Sequence, residues 1–231
     1  MAYEKINSKV VKVQLGAPVV ARKGAMLAYK GEVTFVPHGM PGGMGGMAGM
    51  AGMAGHGGGG FGGMAGQLLQ RAAGEHVSMM EAVGQGEVWY GFRGQHVTVL
   101  ELTGQQLQVE ADRLLVHDSG LQSSTVQVGQ GGVRGAISGM ASGQGLFTTQ
   151  LSGHGSVAVV SHGGTFAIEV DPSRHVAVDP QSYIAALGQL SVTVGAKVGW
   201  RDAVGRGSGE AIQLQVTGHG TVYVQASEQK P

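Results

Sequence analysis

The chain has 231 residues, of which 44 are glycine and none is cysteine, and its 15 Lys and Arg balance its 15 Asp and Glu. The lack of cysteine excludes disulfides, thiolate zinc sites, iron–sulfur clusters and a cysteine nucleophile, and zero net charge disfavours nucleic acid, whose phosphates demand excess Lys and Arg. With 42% hydrophobic residues, the chain is long and apolar enough for a sizeable core.

The N-terminal run MAYEKINSKVVKVQL places charges where a secretory signal needs apolar residues, so a cytoplasmic location is expected. Residues 1–30 hold six Lys or Arg against one Glu, and the rest of the chain carries the compensating negative charge. Lysines of this kind protect a strand edge from aggregation. The lesser alternative is a docking face for an acidic partner or lipid headgroups. Val11, Val13 and Leu15 alternate with Lys12 and Gln14, the period of a half-buried strand.

Between Gly39 and Gly66 lie 15 glycines and six of the 11 methionines, with no charged residue. Such a stretch gains little from burial and loses much entropy on ordering, which predicts a flexible loop. It is too glycine-rich for a membrane helix, and peripheral membrane contact is a weak alternative. Its thioethers with His38 and His56 are a Cu(I) donor set. Spaced Met in Gly-rich sequence is the ordinary product of low complexity, however, and no cofactor is assigned. Gln67–Ala73 reads as one or two helical turns returning the loop to the body.

Beyond the loop, Gly84-Gln85-Gly86-Glu87-Val88 recurs as Gly153-His154-Gly155-Ser156-Val157 and Gly218-His219-Gly220-Thr221-Val222. Each G-x-G is read as a corner that ends one strand and starts the next. A second element recurs as VQLGAPVVA (Val13–Ala21), VEADRLLV (Val109–Val116) and VDPQSYIAA (Val178–Ala186). Both markers give a unit of about 65–70 residues, the Gly/Met stretch being an insertion into the first. The pairs Val126/Val128, Val157/Val159, Val192/Val194 and Val222/Val224, with Ile212, Leu214 and Val216, repeat the period of two. Turns are expected at Leu102-Thr103-Gly104, Asp118-Ser119-Gly120 and His162-Gly163-Gly164. The expected fold is all-β: three pseudo-repeated modules in a barrel-like, pseudo-threefold arrangement. One domain is expected, with modules at 8–102 (insertion 39–66), 103–171 and 172–226, and a tail at 227–231.

Sites of chemistry are few. No G-x-S-x-G, H-E-x-x-H or Walker A motif occurs. His154 and His219 hold the same repeat position, with Gln85 at the third, and are the weak metal candidates. The middle of a G-x-G is more simply a permissive position, so neither a metal nor a catalytic residue is assigned. Asp112, His117 and Asp118 could do acid–base work but read better as surface turn polarity. Asp171-Pro172 and Asp179-Pro180 are turn starters. Trp89, Tyr90 and Trp200 read as core or interface anchors. The repeat corners Gly84, Gly86, Gly153, Gly155, Gly218 and Gly220 are the structural positions of note.

The run VVARKGAMLAYKG (Val19–Gly31) resembles the opening motif of the altered-inheritance-of-mitochondria-24 family, also described as a TRAP-like domain. Ser142–Phe147 (SGQGLF) with Leu151–Val157 (LSGHGSV) resembles its central signature, and Ala73-Gly74-Glu75 with Gly84-Gln85-Gly86 its first copy. The resemblance covers about residues 8–226. It implies three similar sheets in a pseudo-threefold, barrel-like arrangement, and a trimer as some bacterial members form. Mitochondrial members are linked to inner-membrane organisation and respiratory complex assembly, a role not carried over to this chain. The expectation is a non-enzymatic scaffold or protein-interaction protein that assembles with itself or binds a protein partner. A small-ligand or nucleic-acid binding module is the alternative, and an uncharacterised enzyme comes third.

If the Gly/Met stretch is an insertion, deleting Met40–Met64 leaves a single cooperative thermal transition in circular dichroism. Loss of that transition would make the stretch part of the core.

Overall fold

The computed structural model describes residues 2–38, 78–127, 147–196 and 212–227. The Gly/Met stretch, Gln67–Ala73, residues 142–146 and Trp200 lie outside the described residues. Within them the chain is all-β. Thirteen strands form one antiparallel sheet, and a short 3-10 helix stands at Ala111–Arg113.

The strands are β1 (Ala2–Asn7), β2 (Val10–Leu15), β3 (Val19–Arg22), β4 (Met26–Pro37), β5 (Met79–Tyr90), β6 (His96–Glu110) and β7 (Leu114–Asp118). They continue with β8 (Gln122–Gln127), β9 (Phe147–Ser161), β10 (Thr165–Val170), β11 (Val176–Val178), β12 (Tyr183–Ala196) and β13 (Ile212–Gln225). The alternation read from β2 holds: Val11, Val13 and Leu15 are buried and the residues between them are not.

The three G-x-G elements are not corners between strands. Each lies inside a long strand, β5, β9 or β13. The long strand runs on because its pairing continues through the glycines: Gly86 pairs with Gly31 and Leu15, Gly155 with Leu102, and Gly220 with Gly188 and Val170. What changes there is the neighbour. Along one edge of β5, β2 pairs with Gly86–Tyr90 and β3 with Met79–Ala82. Along β13, β10 gives way to β11, and along β9, β7 gives way to β8. The glycines let the long strand bend while its neighbour is exchanged. Gly84, Gly153 and Gly218 have φ near +120°. A Cβ on Gly84 would sit 2.1 Å from the Glu32 carbonyl oxygen, and one on Gly218 2.2 Å from that of Gln189.

Leu102-Thr103-Gly104, expected as a turn, is a bulge inside the continuous strand β6, with the register shifting between Thr103 and Gln106. The Gln105 side chain supplies the reason: its Oε1 accepts from both the amide and the hydroxyl of Thr103, so the excursion closes on itself locally.

The strands fall into groups around the long ones, and two seams join the groups. At the first, β3 pairs with β7; at the second, β6 pairs with β12. The buried apolar side chains form three clusters. One spans the first seam, one the second, and one gathers β10 to β13.

Glycine at the bends sets a testable cost. Gly84→Ala and Gly218→Ala should each lose at least ~1–3 kcal/mol, the usual strain of a side chain at such a φ, and the carbonyl clash adds to it. Gly16→Ala, with nothing within 4 Å, should stay within ~0.5 kcal/mol. Urea unfolding midpoints check the contrast.

Candidate interaction surface

One position recurs in register with the three long strands. Ala28 pairs with Trp89, Val116 with Ala158 and Ala185 with Tyr223, each three residues past the second glycine of its G-x-G. Immediately before each lies a β-bulge, between Met26 and Ala28, Leu114 and Val116, and Tyr183 and Ala185. The extra residue of the bulge is Leu27, Leu115 or Ile184. A bulge kinks its strand and re-aims one side chain.

Leu115 and Ile184 are fully buried, and Leu27 is 57% exposed. The seams explain the difference. Leu115 belongs to the cluster of Val11, Val13, Val19 and Tyr90, so it enters the core of the strand group preceding its own. Ile184 likewise joins the cluster of Leu107, Val109 and Leu151. No element of the described chain pairs with β4 on the edge away from β5. Met26, Leu27 and Tyr29 are consequently exposed together on an open strand edge.

The seams also have a polar component. The Arg22 guanidinium donates to the carbonyl (2.8 Å) and carboxylate (3.0 Å) of Asp112 and lies 4.4 Å from the Phe92 ring centroid. Burial lowers the Arg22 pKa against the pull of Asp112. Arg113, 2% exposed, donates to Glu110 (2.9 Å) and to the carbonyl of Gln181 (3.2 Å). Burial raises the Glu110 pKa, and Arg113 opposes the shift. Each arginine thus ties one strand group to the turn that opens the next.

Of the runs read as alike, VEADRLLV and VDPQSYIAA lead into β7 and β12, whereas VQLGAPVVA runs through β2 and β3. By strand register, Ala21, Val109 and Val178 correspond, each pairing six residues before the second glycine of its G-x-G. On that register the run in line with Val109–Val116 is Ala21–Ala28 (ARKGAMLA). The segment equated with β7 contains β3, which is the partner of β7. Leu27 was within the motif that carried the family resemblance, but periodicity alone gives no sign that its strand edge is open.

His154 and His219 are exposed, as is Gln85. His154 stands against Gly104 and His219 contributes to the field at Asp171, which is lowered mainly by its hydrogen bonds from Ser173. Among the described residues, no three His, Asp or Glu side chains group closely enough to hold a metal ion. Asp112 is at the surface, as read. His117 and Asp118 are not: both are buried, because β7 is covered by β3 on one edge and β9 on the other. Tyr90 is buried as expected of an anchor, and Trp89 is half-buried.

Asp118 belongs to a buried polar group. Its Oδ2 accepts from the Ser156 amide (2.9 Å), and the Ser156 hydroxyl donates to Glu101 (2.8 Å). Gly155 makes room for it, since a Cβ there would lie 2.8 Å from Asp118 Oδ2. Asp118 Oδ1 and the hydroxyls of Tyr3 and Tyr90 have no hydrogen-bond partner among the described residues. Burial raises the Tyr3 pKa, and Asp118 adds to the effect.

Burial also holds the His117 imidazole below its ordinary pKa of 6.5, while its Nδ1–H donates to the Asp118 carbonyl at 2.9 Å. The unfolded chain therefore takes up this proton first. The stability His117 confers is complete above about pH 6.5 and is lost as pH falls toward the folded pKa, with a slope of at most ~1.4 kcal/mol per pH unit. His117→Gln should flatten the pH dependence of the urea midpoint in that window.

Residues 3–227 match the profile of the family described as mitochondrial biogenesis AIM24. Among solved structures, the crystal structure of protein SPYM3_0169 from Streptococcus pyogenes is similar, with a TM-score of 0.67 at 19% sequence identity. The match covers 98% of this chain and 93% of that one, and it speaks to the fold. A comparison with curated proteins finds no match.

Proposed function

The chain belongs to the AIM24 family, and from that membership we propose that it is a non-enzymatic scaffold that assembles with itself through the open edge of β4. The observation that supports this is Leu27. The residue holding its bulge position in the other two strand groups is a core anchor, whereas Leu27 and its neighbours Met26 and Tyr29 are exposed on an unpaired strand. An apolar, unpaired edge of this kind is an aggregation hazard unless it has a partner.

The finer architecture follows the same reading. Three modules, each built around one bent long strand, would follow one another in series, with the bulge residue of one plugging the core of the one before and the first and last left open within one chain. A homo-oligomer, in the first instance a trimer, gives Leu27 the environment that Leu115 and Ile184 already have.

Light scattering should give a mass of several chains for the wild type and of one chain for Leu27→Asp, with unchanged far-ultraviolet circular dichroism. Because Leu27 is mostly exposed, the substitution does not disturb the fold. A strictly monomeric wild type would overturn the proposal.

A further inference from the structure

We propose that the occupant of the β4 edge is the β11 edge of a second copy of this chain, in a head-to-tail contact that repeats the two seams inside each chain. The inference rests on the self-assembly reading and adds the complementary surface and the register.

The third core cluster supplies the first argument. The clusters around Val11 and Leu107 each receive a bulge residue from the following strand group, Leu115 and Ile184. The cluster formed by β10 to β13 receives none within the described chain. A plug without a socket, Leu27, and a socket without a plug thus occur in the same molecule.

The edges supply the second. At the first seam Val19, Val20 and Ala21 pair with Asp118, His117 and Val116. At the second, Leu107, Gln108 and Val109 pair with Leu187, Ala186 and Ala185. Residues in the same register on the two free edges are Val176, Ala177 and Val178 on β11 and Lys30, Tyr29 and Ala28 on β4. β11 pairs with β13 and with no other described strand. A third seam would therefore set Val176 opposite Lys30, Ala177 opposite Tyr29 and Val178 opposite Ala28. Ala177 and Tyr29 are exposed, whereas Val20 and His117 in the corresponding places are buried.

Charge supplies the third. Arg22 reaches the turn at Asp112 across the first seam. Pairing seven residues before the second glycine of its G-x-G, Arg22 corresponds to Asp179, which follows Val178. Asp112 corresponds to Gly24, with Lys23 beside it, so the third seam would bring an acidic side chain to a basic turn, the signs of the first seam with their sides exchanged. The head of the chain, residues 1–30, has an excess of five positive charges, and β10, β11 and the residues beside them carry Glu169, Asp171 and Asp179 against Arg174.

The absence of cysteine makes the register directly testable. Tyr29→Cys and Ala177→Cys, introduced on separate chains and co-expressed, should yield a disulfide-linked species of twice the chain mass on non-reducing gels. Ala28→Cys with Val178→Cys is the second pair. Adjacent pairs in an antiparallel ladder alternate between Cα separations of about 4.5 and 5.5 Å, both within disulfide reach. Neither variant alone should cross-link. Cross-linking by Tyr29→Cys alone would mean a head-to-head contact and overturn the inference. So would an internally linked monomer as the sole product of Tyr29→Cys and Ala177→Cys in one chain. No cross-link by either pair in a protein that still scatters as an oligomer would overturn the register and leave self-assembly standing, as when another protein or another face holds the copies. A monomeric wild type would remove both readings together.

Discussion

An aliphatic side chain pushed by a bulge into the core of the neighbouring strand group holds this fold together. Leu115 and Ile184 each bury completely at a seam between groups. Full burial of such a side chain is worth ~1.5–3 kcal/mol, and the backbone pairs beside it satisfy groups that would otherwise face an apolar core. The clusters around Val11 and Leu107 are each closed by a residue that the chain supplies later, so these groups stabilise one another in sequence order.

The bends make this arrangement reachable. A straight strand has one neighbour along each edge. A strand bent at G-x-G can exchange a neighbour midway, as β5 exchanges β2 for β3. The exchanged strand is then free to continue into the seam, where β3 meets β7. Glycine is required because the bend brings backbones together more closely than any side chain permits: Gly31 faces Gly86, and Gly188 faces Gly220. In β9 the demand is different. Gly155 faces Leu102, and its missing Cβ leaves space for the Asp118 carboxylate instead. The same motif thus serves a backbone approach twice and a buried carboxylate once.

The all-β class, the half-buried strands and the importance of the glycine pairs were legible in the sequence, since alternation and glycine spacing follow from local geometry. What was not legible depends on partners distant in the chain. A G-x-G reads as a strand end because glycine usually marks one, but the ladder on the opposite edge carries β13 through Gly218 and Gly220. His117 and Asp118 read as turn polarity because a Ser-Gly turn follows them, and only the pairing of β3 with β7 buries them. Leu27 looks in sequence like Leu115. Its exposure follows from the absence of a third seam among the described strands, a property of topology that no local pattern carries.

The proposed head-to-tail contact has a consequence for size. A contact between unlike surfaces leaves one head and one tail free at every open stage of growth, so it ends only when a ring closes or continues as a fibre. A free head here is an apolar strand edge with Leu27 exposed, the feature that soluble proteins avoid presenting. Closure is the only finite arrangement that leaves no such edge. The charge division would act in the same direction: a neutral chain with a positive head and a negative tail edge disfavours head against head and favours head toward tail. In the proposed assembly the opening thirty residues, which carry the positive excess and the exposed leucine together, supply one half of every contact, and growth ends where the last strand group of another copy reaches them.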